Sequence, residues 1–220
     1  MFIECVPRTR IALAALFVAA ICIAAPAARG QTPQADFLTA VANDRAPEVR
    51  RLLAAGVEPD TADRNGDPAL VIAVRAGNVA TVDLLLATRV NVNARNAFGD
   101  SALMVAALGG RLELVRKLRA RGADVNQPGW NALIYAATGG HDEVVRFLLA
   151  EGAEINAASA NGTTALMMAA RGGRASTLDL LITRGAEVNH RNENGASALD
   201  WAQRANEKAM VDRLRRAGAR

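Results

Sequence analysis

Apolar residues between positions 103 and 122 recur at helical spacing in two short blocks. The first block contains Leu103, Ala106 and Ala107, and the second contains Leu112, Val115 and Leu118. Gly109 and Gly110 interrupt the spacing between the blocks. Gly122 follows the second block, at a place where a residue that tolerates a left-handed backbone ends a helix. The pattern predicts two short helices joined by a tight turn and followed by a polar, turn-forming segment.

The same pattern returns along the chain with a period near 33 residues. Five leucines occupy the same place in phrases such as GTTALMMAA, and they are Leu70, Leu103, Leu133, Leu166 and Leu199. A second marker series keeps the same intervals, including one interval of 30: Gly56, Arg89, Gly122, Gly152, Gly185 and Gly218. This period indicates stacked supersecondary units, each too thin to bury its own apolar face, so that stability comes from interfaces between neighbours.

The recurring phrases G-x-T-A-L-M-x-A-A, G-G-H-x-E-V-V-R-x-L-L and G-A-x-V-N resemble the ankyrin repeat. The fourth unit is the most similar, with Gly140 to Arg146 followed by Gly152 to Asn156. The resemblance covers about residues 35–220 and implies an all-α repeat solenoid, in which each unit has two antiparallel helices and a β-turn finger. The chain departs from the family's T-P-L-H phrase, because the His position is mostly apolar here.

The repeat markers divide the chain into about six units, including the caps at both ends. The predicted bounds are 35–63, 64–97, 98–127, 128–160, 161–193 and 194–220, after a linker at 31–34. The first unit lacks the opening phrase and suits a cap. The last helix, from Glu207 to Ala217, carries several basic side chains, which serve either as a solubilising cap or as a docking patch for an acidic partner.

The first thirty residues have the pattern of a secretory signal peptide. Arg8 and Arg10 precede an uncharged run from Ile11 to Ala25, and small residues follow before Gln31. The run is shorter than the roughly 20 residues that span a bilayer comfortably. Both cysteines of the chain fall in this segment, so the remainder needs no disulfide. We expect export to the periplasm of a Gram-negative bacterium, with an uncleaved leader acting as a membrane anchor as the alternative.

Charge and residue types exclude several functions. The chain has 26 basic and 22 acidic side chains, of which three arginines and one glutamate lie in residues 1–30. The remainder is close to neutral, which argues against nucleic-acid binding, because phosphate recognition needs clustered positive charge. His141 and His190 lie in different units, and we expect a structural role at a helix start for the first and a solvated position for the second. We predict no catalytic site, no metal site, no cofactor and no enzymatic activity.

The ankyrin resemblance places partner binding on the concave side, which is formed by the finger tips and the exposed faces of the first helices. Phe98 stands at one tip where a small polar residue is usual. Three residues of the next finger are missing, and Trp130 stands beside the gap. We predict a notch bordered by these two aromatics as a partner-binding site. The alternative is that Trp130 folds down to fill the vacated volume.

Arginines near the fingers and at the ends of first helices predict a basic stripe along the same side, suited to an acidic protein surface. The stripe would contain Arg64, Arg95, Arg171 and Arg191, together with Arg75 and Arg204. A merely solvated edge is the alternative. Tyr135 and Trp201 occupy positions that are apolar in other units, and we expect them to pack in the core.

These features predict a periplasmic protein–protein interaction module that binds its partner through the concave surface. The partner would be an envelope enzyme or effector, which the protein either inhibits, as an immunity-type factor, or assists, as an accessory or chaperone-type factor. We expect a monomer without stable membrane insertion once the leader is removed. The alternative is a membrane-anchored or small-ligand-binding envelope protein.

Overall fold

A computed structural model describes residues 32–220 as six consecutive pairs of short helices. The helices are α1 Pro33–Ala42, α2 Ala46–Ala54, α3 Ala69–Ala76, α4 Val79–Leu86, α5 Ala102–Leu108, α6 Leu112–Ala120, α7 Ala132–Gly139, α8 Asp142–Ala150, α9 Ala165–Arg171, α10 Ala175–Thr183, α11 Ala198–Arg204 and α12 Lys208–Arg216. Units 1 to 6 are these pairs in order. Isolated β-bridges are the sole strand-like pairing within residues 32–220, which confirms the predicted all-α repeat solenoid.

Every first helix except α3, whose cap residue is Pro68, begins after a hydroxyl or amide side chain. The side-chain oxygens of Ser101, Asn131, Thr164 and Ser197 each accept a hydrogen bond from the backbone N–H three residues later. These bonds satisfy N–H groups that have no partner inside the helix. The predicted break at Gly109 and Gly110 is present, since α5 ends at Leu108 and α6 begins at Leu112.

The folded region starts earlier than the sequence suggested. Helix α1 begins at Pro33, inside the segment 31–34 that was expected to be a linker. Its start is stabilised because the Thr32 hydroxyl accepts from the Ala35 N–H and because proline suits the first turn of a helix. The predicted leader, residues 1–30, lies outside the described residues. No helix within residues 32–220 has the length and apolar character needed to cross a bilayer.

The first helices of neighbouring units pack more closely than the second helices do. Fully buried alanines make this possible, and one row of them is Ala73, Ala106, Ala136, Ala169 and Ala202. The second helices instead bury leucine and valine, such as Val115, Leu148 and Leu181. Because the layer of first helices is more tightly spaced, the stack curves toward it, and the first helices lie on the concave side.

Two series of side chains bond each unit to the next. In the loops after the second helices, a side-chain oxygen accepts a 2.9 Å hydrogen bond from a backbone N–H in the corresponding loop of the next unit; the acceptors are Asp60, Asn93, Asn126, Asn156 and Asn189. At the start of four second helices, a side chain donates to a carbonyl oxygen at the end of the first helix of the preceding unit. These donors are Asn78, Arg111, His141 and Arg174. Both series continue through unit 4 despite its missing residues, so the deletion affects the finger and not the helices.

Candidate functional site

The concave side is a groove lined by two rows of side chains from the first helices. The other positions of these helices are largely buried, which leaves two positions three residues apart on the exposed face. The floor row is Ile72, Val105, Tyr135, Met168 and Trp201, of which Met168 is buried and the other four are partly exposed. The edge row is Arg75, Leu108, Thr138, Arg171 and Arg204. Each row keeps the repeat interval, so a partner in the groove would meet both rows in unit after unit.

Fingers precede the first helices of units 2, 3, 5 and 6 and form one wall of the groove. In each finger a side-chain oxygen accepts from a backbone N–H four residues later, and the acceptors are Asp63, Asn96, Ser159 and Asn192. These bonds close the turn and hold the tip residues outside it. The period places the four acceptors in register, although the sequence analysis did not single them out. Phe98 lies at the tip of the unit 3 finger with its side chain 83% exposed.

The shortened junction before unit 4 is held by an arginine from the preceding finger. Gly129 takes a left-handed backbone there, with a φ of 86°. Two guanidinium nitrogens of Arg95 donate to the carbonyl oxygen of Pro128, each at 3.3 Å. Arg95, which the sequence assigned to partner binding, therefore also spans the place where the finger is missing.

Trp130 packs on Tyr135 and remains partly exposed. The two ring centroids are 5.5 Å apart with a 49° angle between the planes, and 38% of Trp130 is accessible. The Tyr135 hydroxyl donates to Oδ1 of Asp100 at 2.5 Å. Burial, with a further contribution from the Asp100 carboxylate, raises the pKa of Tyr135. The structure does not place Tyr135 fully in the core as expected, because the groove side of the ring is not covered by another helix.

The exposed large apolar side chains of the described region all come from units 3 and 4. They are Phe98, Leu108 and Trp130. Phe98 is on the finger wall, Leu108 is at the opposite edge, and Trp130 with Tyr135 and Val105 lies between them. We call these five residues the apolar band, which crosses the groove at its middle. Leu108 was not among the predicted site residues, although the repeat interval aligns it with Arg75 and Arg171.

The arginines do not form one continuous basic stripe. Arg75 pairs with the buried carboxylate of Asp67 at 2.5 and 3.0 Å. This guanidinium, assisted by the Asn96 amide at 2.8 Å, holds the pKa of Asp67 below its usual value. Arg191 folds back onto its own finger, where it donates to the carbonyl oxygen of Gly195 at 2.6 Å and lies 3.4 Å from Asp200.

The other arginines of the predicted stripe are distributed along the groove. Arg64 is an exposed residue of the unit 2 finger. Arg171 and Arg204 lie at the far end of the groove with Trp201. The six residues predicted to bind a partner therefore do not lie together in one place. They are Arg64, Arg95, Phe98, Trp130, Arg171 and Arg191.

A cavity of about 440 Å³ lies at the carboxyl-terminal end of the groove. Its lining residues, which we call the C-terminal pocket, are Arg171, Asn192, Asn194, Trp201, Arg204 and Ala205. The guanidinium of Arg171 lies 5.6 Å from the centroid of the Trp201 ring. Trp201 was expected in the core, but it is half-buried and forms the floor of this pocket.

The histidines have structural contacts. Nε2 of His141 lies 2.8 Å from the carbonyl oxygen of Leu108, in agreement with a structural role at the helix start. Nε2 of His190 lies 3.1 Å from the carbonyl oxygen of Gly162, so this side chain is not simply solvated. Within residues 32–220 no group of metal-ligating side chains is close enough to hold an ion. The arrangement provides a binding surface of exposed aromatics and guanidinium groups.

Comparison with known proteins agrees with this architecture. The family model for ankyrin repeats in three copies matches residues 37–129, 89–159, 109–192 and 133–220. The chain is similar to the crystal structure of an ankyrin repeat domain from Acinetobacter baumannii AYE, with 31% sequence identity and a TM-score of 0.71. That similarity covers 84% of this chain and 98% of the other. No curated protein matches the chain. The protein therefore belongs to the ankyrin repeat family, whose repeats generally mediate protein–protein interaction.

Proposed function

We propose that this protein is an exported binding module that holds one partner protein against the apolar band of its groove. The observation that carries the proposal is the confinement of the exposed large apolar side chains of residues 32–220 to this one place. Aromatic anchors surrounded by polar rims are favoured sites of binding energy in protein interfaces. Along the groove the band is flanked by polar side chains of the edge row, with Arg75 on one side and Arg171 on the other.

The rigidity of the groove also favours binding. The finger bonds and the inter-unit bonds fix the backbone under the band before any partner arrives. Little loop ordering is then needed on association, and less of the interaction energy is lost to conformational entropy. A preformed surface of this kind suits a stable complex with a folded protein.

The proposed location is the periplasm. It is supported by the basic, apolar and small-residue pattern of residues 1–30 and by the confinement of both cysteines to that segment. Amino-terminal sequencing of the protein from the periplasmic fraction should give a start between residues 28 and 31. Recovery of an intact leader in the membrane fraction would instead support the anchored alternative.

The apolar band is tested by cross-linked capture from the cell envelope with the full chain. We expect one specific partner, which the double variant Phe98→Ala, Trp130→Ala fails to retain. Loss of one hot-spot residue weakens an interface by about 2 kcal/mol, or roughly 30-fold in affinity. Phe147→Ala is the matched control, because it removes a half-buried aromatic from the second-helix layer. Equal capture by the wild type and a folded double variant would contradict the proposal.

The captured partner also decides the mode of action. We propose that the module inhibits or assists an envelope enzyme or effector. Inhibition predicts that the partner's activity falls when the protein is added in equimolar amount. An accessory role predicts instead that the partner is more stable or more active in the complex. The measurement is the partner's own activity and thermal stability with and without the protein.

A further inference from the structure

We infer that the C-terminal pocket binds an acidic side chain of an extended partner segment that continues along the groove from the apolar band. This inference rests on the proposed protein-binding function and specifies the chemistry of the partner. The proposed occupant of the pocket is a carboxylate side chain on a segment of the partner protein.

The charge of the edge row differs between unit 2 and units 5 and 6. In unit 2 the edge residue Arg75 is neutralised by Asp67, which immediately precedes the cap residue of the first helix. In units 5 and 6 the position that corresponds to Asp67 is occupied by Thr163 and Ala196. Among the described residues, Arg171 and Arg204 make no salt bridge with a carboxylate, whereas their counterpart in unit 2 does. Two guanidinium groups therefore face the groove without the acid that the repeat provides elsewhere.

The carboxylate of Asp200, close to the pocket, is already engaged. Asp200 accepts from the Ser197 backbone N–H at 2.7 Å and from the Ser197 hydroxyl at 2.8 Å, and Arg191 lies 3.4 Å away. The Ser197 bonds, together with Arg191 and more distant Arg204, hold the pKa of Asp200 below its usual value. Glu193 at the exposed finger tip and Glu207, whose carboxylate lies against Gly173, are the other acids of this region, and neither lines the C-terminal pocket. Since Asp200 is held by the helix start, the pocket keeps its positive character.

The shape of the pocket also suits a carboxylate side chain. Trp201 forms an aromatic floor, and Arg171 lies over its ring at 5.6 Å. Stacking of this kind restricts the guanidinium and leaves its N–H edge available for a carboxylate. A cavity of about 440 Å³ that opens along the groove accommodates a side chain of a passing segment. The amide side chains of Asn192 and Asn194 supply polar groups at the finger side.

The distance between the apolar band and the pocket fits an extended segment. Tyr135 belongs to unit 4 and Trp201 to unit 6, so two helix-to-helix steps separate them. Packed helices lie about 8–10 Å apart, which gives about 16–20 Å along the groove. An extended chain advances about 3.3–3.6 Å per residue. The partner segment should therefore carry an apolar side chain and an acidic side chain about five or six residues apart.

A phage-displayed library of random twelve-residue peptides, selected on the full chain, tests this. We expect enrichment of Asp or Glu five or six positions from an aromatic or aliphatic residue. The enriched peptide, measured by calorimetry, should lose about ten-fold in affinity with Arg171→Gln and again with Arg204→Gln, since charge-assisted hydrogen bonds are lost. The matched control is Arg50→Gln, which removes an exposed arginine of the second helix of unit 1 and should leave the affinity unchanged.

Several results would overturn the inference. These are selection of peptides without acids, equal binding of the peptide with amides in place of its carboxylates, and no enrichment at all. Competition by citrate or inorganic phosphate at the peptide's own concentration would also overturn it, because the pocket would then take a free anion. If the native partner is lost with Phe98→Ala, Trp130→Ala but kept with Arg171→Gln, Arg204→Gln, the proposed function stands and this inference fails.

Discussion

Asn126→Ala should weaken the stack at the junction between units 3 and 4. The Oδ1 atom of Asn126 accepts from the Glu154 N–H, and its Nδ2 atom donates to the Gly152 carbonyl, both at 2.9 Å. An intramolecular hydrogen bond contributes about 0.5–1.5 kcal/mol, and these groups are exposed, so the pair should contribute about 1–2 kcal/mol. With a urea slope of about 2 kcal/mol/M, the unfolding midpoint should fall by about 0.5–1 M.

Urea unfolding followed by circular dichroism and by tryptophan fluorescence measures this change. Both tryptophans of the chain lie after the junction, so fluorescence reports units 4 to 6 and circular dichroism reports the whole stack. Asn126→Asp keeps the acceptor and should lose less, because Asp60 makes the equivalent bond in unit 1. Asn65→Ala is the control, since its side chain makes one long contact of 3.4 Å within its own finger. The reasoning fails if Asn126→Ala shifts the midpoint no more than Asn65→Ala does.

Three further outcomes follow from the same structure. Leu133→Ala, at a site only 1% exposed, should lower the free energy of unfolding by about 3–5 kcal/mol, whereas Leu108→Ala at the groove edge should change it by less than about 0.5 kcal/mol. The carboxylate of Asp67 should titrate below its usual pKa of 3.8 when it is followed by NMR. Its ion pair with Arg75 stabilises the fold above that pH, and this stability is lost as the pH falls through the lowered pKa. Tyr135, the single tyrosine, should ionise well above pH 10 by ultraviolet absorbance, and Asp100→Asn should bring its pKa closer to 10; ionisation of the wild type near pH 10 would refute the contact.

The sequence predicted the fold well because its signals are local and repeated. Helix-spaced apolar residues, cap residues such as Ser101 and the glycines between helices each act within a few residues of the chain. Repetition then confirms each signal in several units. The start of unit 1 was misplaced at residue 35, because this unit lacks the opening phrase and its helix begins with the less specific Thr32–Pro33 pair.

The exposed residues of the candidate site were predicted less completely. Phe98 and Trp130 were singled out because they break the local pattern, and both are exposed on the groove. Trp201 does not break the pattern, since an apolar residue on a first helix reads as core, whereas Leu108 stands where three other units have arginine. Their exposure depends on whether a neighbouring helix covers that face, and no helix does so on the concave side.

The sequence by itself determined the unit length, the helix pairs and the residues that are equivalent from unit to unit, because these follow from the repeated pattern. Only the tertiary structure decided which arginines are neutralised and which residues meet at the end of the groove. Arg75 meets Asp67 because the finger folds back on its own helix, and Arg171 meets Trp201 because units 5 and 6 stack. Such contacts depend on the path of the backbone and the packing of units, which the repeat pattern does not encode.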